Sequence, residues 1–251
     1  MLSEIGLLTL AGLAAGVVNA LAGGGTLLSF PALVAIGLPP LVANLTSTVA
    51  LVPGYLGATV AQREELRGQP WRLGWLFVSA VVGGMTGAML LLHTKEAVFN
   101  ALIPYLLLLA AVLLGVQEQV RAWLGRRVNA PAISEAGAIP LVFLAAVYGG
   151  YFGAGVSVIL LAVLGIAFGD NLTRLNGLKQ VLAFGTNAAA AAFFVLSGEV
   201  VWPVAVGMAI ATIVGGFLGG QFARAVNPVL LRRIVVLLAV VLAIVYWLQQ
   251  R

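Results

Sequence analysis

Residues 5–36 form an apolar run too long for one membrane crossing and too short for two, and Gly23-Gly24-Gly25 stands inside it. Residues 138–168 repeat the pattern around Gly153-Ala154-Gly155. A hydrocarbon core about 30 Å thick takes about 20 helical residues at 1.5 Å each. Glycine is a poor helix former, and a free peptide group is costly in lipid. Each run therefore predicts a re-entrant hairpin, two half-helices that meet near mid-membrane and return to the same side.

The rest of the chain fits that reading. Apolar residues make up 62% of the 251 and charged ones only 8%, against about 25% charged in an average globular domain. With a mean hydropathy of +1.10, the chain reads as an all-α integral membrane protein. Ordinary spans follow each long run, at 41–62, 73–92 and 97–117, then at 174–197, 202–222 and 229–249. Simple hydropathy thus gives about 8 membrane segments. Ala20-Leu21-Ala22 imitates a signal-peptidase site, but the opening MLSEIG has no basic region, so the first run is expected to be retained. The chain has no cysteine, which excludes disulfides and thiolate metal sites.

An ungapped shift of 132 residues superposes the two parts. Ala22-Gly23 falls on Ala154-Gly155, Gly37 on Gly169 and Asn44 on Asn176. Gly83, Gly84 and Gly87 fall on Gly215, Gly216 and Gly219, Ala14 on Ala146, and Ala58 on Ala190. The expected organisation is a first transmembrane repeat at 1–117, a cytoplasmic linker at 118–137 carrying Arg121, Arg126, Arg127 and Pro131, and a second repeat at 138–251. The net charge of +5 fits Lys and Arg gathered in cytoplasmic loops. If each long run crossed once, Lys95, Arg174, Lys179, Arg224, Arg232 and Arg233 would lie outside. If the runs are hairpins, only Lys95 and Arg251 do. The positive-inside rule favours the hairpins. It makes the halves inverted copies, a common architecture of secondary transporters, with both termini periplasmic.

The candidate site follows from the hairpins. Irregular backbone at membrane depth needs protein or a water-filled cavity around it. Gly23, Gly24 and Gly25 would form one tip and Gly155 would belong to the other. Thr26 and Ser157, as hydroxyl residues, would cap the second half-helix of each hairpin. The positive end of such a helix offers an anion up to about 2 kcal/mol in a partly buried setting. Asn19, Asn44, Ser47, Tyr151, Asn176, Lys179, Gln180 and Asn187 supply further polar groups inside the runs. Lys179 either faces the cavity or snorkels to the interface. Gly83, Gly84, Gly87 and their counterparts read as helix-packing positions.

Asp170 is the only aspartate, and the glutamates sit at termini, span ends or loops. A proton relay or cation cage built on buried acids is therefore not expected. His93, the sole histidine, falls at a span end. A serine nucleophile at Ser157 would lack a histidine or acid placed to activate it, so no enzyme is expected. No cofactor, metal or nucleic-acid partner is expected. The partners are a small anion and the bilayer, and the sequence leaves open whether the chain forms a homo-oligomer.

At NALAGGGTLLSFPALVAIGLPPLVANLTS the chain resembles the TauE/SafE family of sulfite exporter-like membrane proteins. The resemblance covers the Asn-x-x-Ala-Gly-Gly-Gly opening from Asn19 to Gly25, Pro31, Gly37-Leu38-Pro39 and the two-fold repeat. The second copy departs from it, with Tyr151 in place of Asn19 and Val156-Ser157 in place of Gly24-Gly25. The resemblance implies transport of a small sulfur-containing anion such as sulfite, a sulfonate or thiosulfate across the bacterial inner membrane. An anion channel on the same scaffold is the alternative.

Overall fold

The computed structural model describes residues 2–21, 23–66, 70–126, 133–221 and 228–249. Ala22, Arg67, Arg127, Pro131, Arg224 and Arg251, used above for the repeat, the linker and the charge count, lie outside the described residues, as does the side chain of Arg72.

Eleven α-helices and no strand occur among the described residues. The first long run breaks at the glycines into α1 (Leu2–Leu21) and α2 (Thr26–Ala35). The spans α3 (Pro40–Ala61), α4 (Pro70–His93) and α5 (Glu96–Gly115) follow. A short helix, α6 (Gln117–Gly125), opens the linker. The second run breaks into α7 (Glu135–Tyr151) and α8 (Val156–Phe168), before α9 (Leu172–Ser197), α10 (Trp202–Gln221) and α11 (Pro228–Gln249).

Element ends follow local chemistry. Pro40 opens α3, where its missing N–H costs nothing. Asn171 caps α9 by accepting the Arg174 N–H at 2.9 Å, and Gly198 closes that helix. α6 was not expected as a helix. It forms because Gln117 and Leu124 share a buried face, with half-buried Arg121 between them, while Glu118, Gln119 and Ala122 are exposed.

Five stretches are long and apolar enough to cross a bilayer, Pro40–Ala61, Leu73–His93, Glu96–Gly125, Leu172–Ser197 and Val229–Gln249. The outer surface is apolar as well. Leu144, Leu196, Ile210, Phe217, Leu237 and Leu248 are each more than half exposed, a surface suited to hydrocarbon and unsuited to water. The molecule is a multi-pass helical membrane protein.

Hairpin arms are unequal, in contrast to the expected pair of half-helices. α1 has 20 residues and α2 has 10; α7 has 17 and α8 has 13. The first arms run on because they lie closely against a neighbouring span. A Cβ at Gly16 would come within 2.7 Å of the Gly216 nitrogen, and one at Gly87 within 2.8 Å of the Tyr151 nitrogen. Only glycine lets these helices approach so closely.

The two parts exchange partners. α1 packs on α10 and α7 on α4, while α3 meets α10 and α9 meets α4. Threonines bridge both of the latter seams. Thr212 Oγ1 donates to the Ala50 carbonyl at 3.1 Å, and Thr186 Oγ1 to the Ala80 carbonyl at 3.5 Å. α3 and α9 run antiparallel. Thr59, late in α3, donates to the carbonyl of Gln180, early in α9. At the other end, the Val201 N–H beyond α9 donates to Thr46 Oγ1. The core lies between the hairpins and these spans, where Phe30 and Phe152 meet edge-on at 5.6 Å between ring centroids.

Candidate functional site

The glycine tip is built as a reversal. Gly23 takes φ +75°, a conformation an L side chain adopts only under strain. Its N–H closes α1 by donating to the Val18 carbonyl at 3.0 Å. The expected hydroxyl caps are absent. Gly25 and Gly155 hold the cap positions, and neither helix start carries a side-chain cap bond. At Gly155 the reason is steric, since the turn requires φ +82° there, which a serine or threonine would resist.

The two tips touch. A Cβ at Gly23 would lie 3.0 Å from Ser157 Cβ, and one at Gly153 would lie 3.9 Å from Thr26 Oγ1 and 3.7 Å from Asn187 Oδ1. Thr26, Ser157 and Asn187 are all buried. Asn187 Nδ2 is satisfied by the Ala183 carbonyl at 2.8 Å. Ser157 Oγ has no hydrogen-bond partner although the residue is only 1% exposed. The same holds for Oδ1 of Asn19 and Oδ1 of Asn44. Buried polar atoms normally find partners, so three around the tips mark a polar locus with spare bonding capacity.

On one side of the tips lies a polar cavity of about 350 Å³. It gathers Asn19, Gly23, Asn176, Lys179 and Gln180 from the candidate set. Lys179 is 6% exposed, and its Nζ donates to Asn176 Oδ1 at 3.1 Å. Asn176 Nδ2 donates in turn to the Leu172 carbonyl at 2.8 Å. The ammonium is thus held against the cavity wall by α9 itself. Gln62, Glu64, Glu65, Arg121 and Thr173, outside the expected set, also line the cavity. Glu64 is exposed and lies 3.9 Å from Arg63, while Arg121 stands 3.9 Å from Glu118. Their common signal was position, since all lie at or beyond span ends that the charge count had assigned to one side.

Other candidates sit elsewhere. A Cβ at Gly24 would meet Leu114 at 2.6 Å, so this glycine packs against α5 and does not line the cavity. A Cβ at Gly25 would meet the Ala15 carbonyl at 2.7 Å, and Gly155 faces Leu113 and Ala110 in the same close way. Asn44, Ser47 and Tyr151 form a packed group. Asn44 Nδ2 donates to the Tyr151 carbonyl at 3.0 Å, Ser47 Oγ lies 2.6 Å from Ser29 Oγ, and the Tyr151 hydroxyl reaches Thr94 Oγ1 at 3.4 Å.

With lysine, arginine, amides and a hydroxyl around a small volume, the cavity is suited to a small anion. Exposed Glu64 and half-buried Glu65, from the turn after α3, set an opposing field, so the favourable position lies at Lys179 and the Gly23 tip.

Comparisons with known proteins agree with a transport role. The family profile described as "Sulfite exporter TauE/SafE" matches residues 8–246. A "Probable membrane transporter protein" of Haemophilus influenzae is 29% identical over 91% of this chain and 88% of its own length. One named "Probable membrane transporter protein ORF9" from Sinorhizobium is 27% identical over 92% and 87% respectively. The "Probable membrane transporter protein YfcA" of Escherichia coli is 24% identical over 95% and 88%. No solved structure matches the chain.

Proposed function

This chain belongs to the sulfite exporter TauE/SafE family, and from that premise we propose that it is a secondary transporter moving a small sulfur-containing oxyanion across the cytoplasmic membrane. The observation that carries the reading is the polar cavity in which Lys179, Asn176, Gln180 and Asn19 surround the Gly23 tip. The anion binds there, beside Lys179 and the Gly23 turn. Sulfite, thiosulfate or a small sulfonate would exchange water for the Lys179 ammonium and amide N–H groups. A cation would find no buried carboxylate at that depth.

The halves, 1–117 and 138–251 about the linker 118–137, act as inverted copies. Antiparallel packing of the equivalent helices α3 and α9 supports this. Under the 132-residue shift, Asn19 corresponds to Tyr151 and Asn44 to Asn176. Asn19 and Asn176 line an open cavity, whereas Asn44 and Tyr151 are bonded to each other. One side open and its counterpart shut is the arrangement of an alternating-access carrier, and it favours a carrier over a channel with a continuous path. By the charge count, the open side is cytoplasmic.

Binding to purified protein in lipid nanodiscs tests the reading. Sulfite, thiosulfate and methanesulfonate are expected to compete for one site, with no competition from choline or alkali cations. A site that takes choline and ignores all three anions would overturn it.

A further inference from the structure

The polar cavity adjoins a second chamber of about 620 Å³. Asn19, Ala20, Ala61, Gln62 and Gln180 line both. Beyond that shared wall the chamber changes character. Leu51 and Pro53 of α3 and Ile213 and Phe217 of α10 line it, and among the described residues no charged one does. Ile213 and Phe217 are 51% and 65% exposed, so the chamber opens toward the lipid-facing surface.

Two chamber glycines are not explained by close packing. A Cβ at Gly57 would meet no protein atom within 4 Å, and one at Gly54 only Asn19 Nδ2 at 3.9 Å. Glycine inside a helix is less favourable than alanine. At Gly16 the same residue type serves helix contact, whereas at Gly57 open space lies beside the backbone. The outcome is a charged and amide-lined pocket beside an apolar one, with Asn19, Gln62 and Gln180 on the wall they share.

We infer that the apolar chamber holds the hydrocarbon tail of an amphiphilic organic monoanion whose head group sits in the polar cavity beside Lys179. This deepens the proposed function and rests on it. A charged head cannot enter the chamber, which offers it no countercharge, and a hydrocarbon tail gains nothing among Lys179, Asn176 and Glu65. The one orientation that satisfies both pockets places the head inward and the tail between α3 and α10. Each methylene removed from water strengthens binding by roughly fourfold, so a tail of several carbons produces a measurable preference even when only part of it is enclosed.

Alkanesulfonates provide the test, with binding of methanesulfonate and hexane-1-sulfonate measured by titration into the full chain in nanodiscs and protein-free discs as the baseline. The wild type is expected to bind the six-carbon compound at least tenfold more tightly. Gly57→Leu, whose Cβ would meet no protein atom within 4 Å and whose side chain would occupy chamber space, is expected to abolish that preference and leave methanesulfonate affinity unchanged. Phe217→Ala, on the opposite and exposed wall, is expected to reduce the preference and guards against a folding defect in the first variant. Equal affinity of the wild type for both compounds would overturn the inference while leaving the small-anion site intact. A preference that persists at full size in both variants would also overturn it, placing the tail in bulk lipid. Failure of both sulfonates to bind the wild type would instead count against the anion site itself.

Discussion

Replacing Lys179 with glutamine is expected to weaken binding of small oxyanions by roughly ten- to a hundredfold, the range for losing a charged hydrogen-bond donor. The ammonium lies within the polar cavity, is only 6% exposed, and is braced by Asn176 Oδ1 at 3.1 Å. Glutamine keeps an N–H and most of the length while removing the charge. If Lys179 served only to tie one turn of α9 together, the substitution would lower thermal stability and leave affinity unchanged. Lys95→Gln, in the turn between α4 and α5 and away from the cavity, is the matched control and is expected to leave binding as it was. Isothermal titration of the three proteins with thiosulfate distinguishes these outcomes.

Gly23→Val is expected to abolish transport while the protein still reaches the membrane. Two costs combine at this position. Its φ of +75° imposes on any L residue a strain of about 1–3 kcal/mol. A Cβ there would also lie 3.0 Å from Ser157 Cβ and 3.1 Å from Ser157 Oγ, pushing the two tips apart. Because the spans that direct insertion are untouched, membrane yield should fall little. Gly23→Ala should retain part of the activity, and Gly74→Ala, where a Cβ meets nothing within 4 Å, should retain all of it. Full transport by a well-inserted Gly23→Val protein would remove the tip from the mechanism.

Hydropathy made most of the helices legible. The predicted spans 41–62 and 174–197 became Pro40–Ala61 and Leu172–Ser197, because a bilayer imposes one length and one composition on every crossing. The breaks at Gly23–Gly25 and Gly153–Gly155 were legible for a related reason, since adjacent glycines cannot all serve one helix face. α6 was not legible. Nine residues with charges on one side read as a polar connector until Leu124 is seen against Gly165. Propensity favours hydroxyl residues at the caps, whereas a positive φ at Gly155 and the close approach of Ala15 to Gly25 require glycine.

The site was half legible for a similar cause. Polar residues inside apolar runs stand out, and Asn19, Asn176, Lys179 and Gln180 did gather around one cavity. Glu64, Glu65 and Arg121 come to it from a turn and from α6, elements brought together only by packing of α6 and the α3–α4 connection against α9. No periodicity in the chain announces that. Asn44 Nδ2 bonds the Tyr151 carbonyl away from that cavity, a pairing between residues more than a hundred positions apart.

The most direct test of the account is flux of radiolabelled thiosulfate and sulfite into proteoliposomes carrying the wild-type protein, with Lys179→Gln reconstituted alongside. Saturable anion flux by the wild type is expected, with inhibition by other small sulfur oxyanions, no inhibition by choline, and a sharply reduced apparent affinity in the variant. Saturable uptake of an organic cation to which sulfur oxyanions are indifferent, equal in wild type and variant, would contradict it.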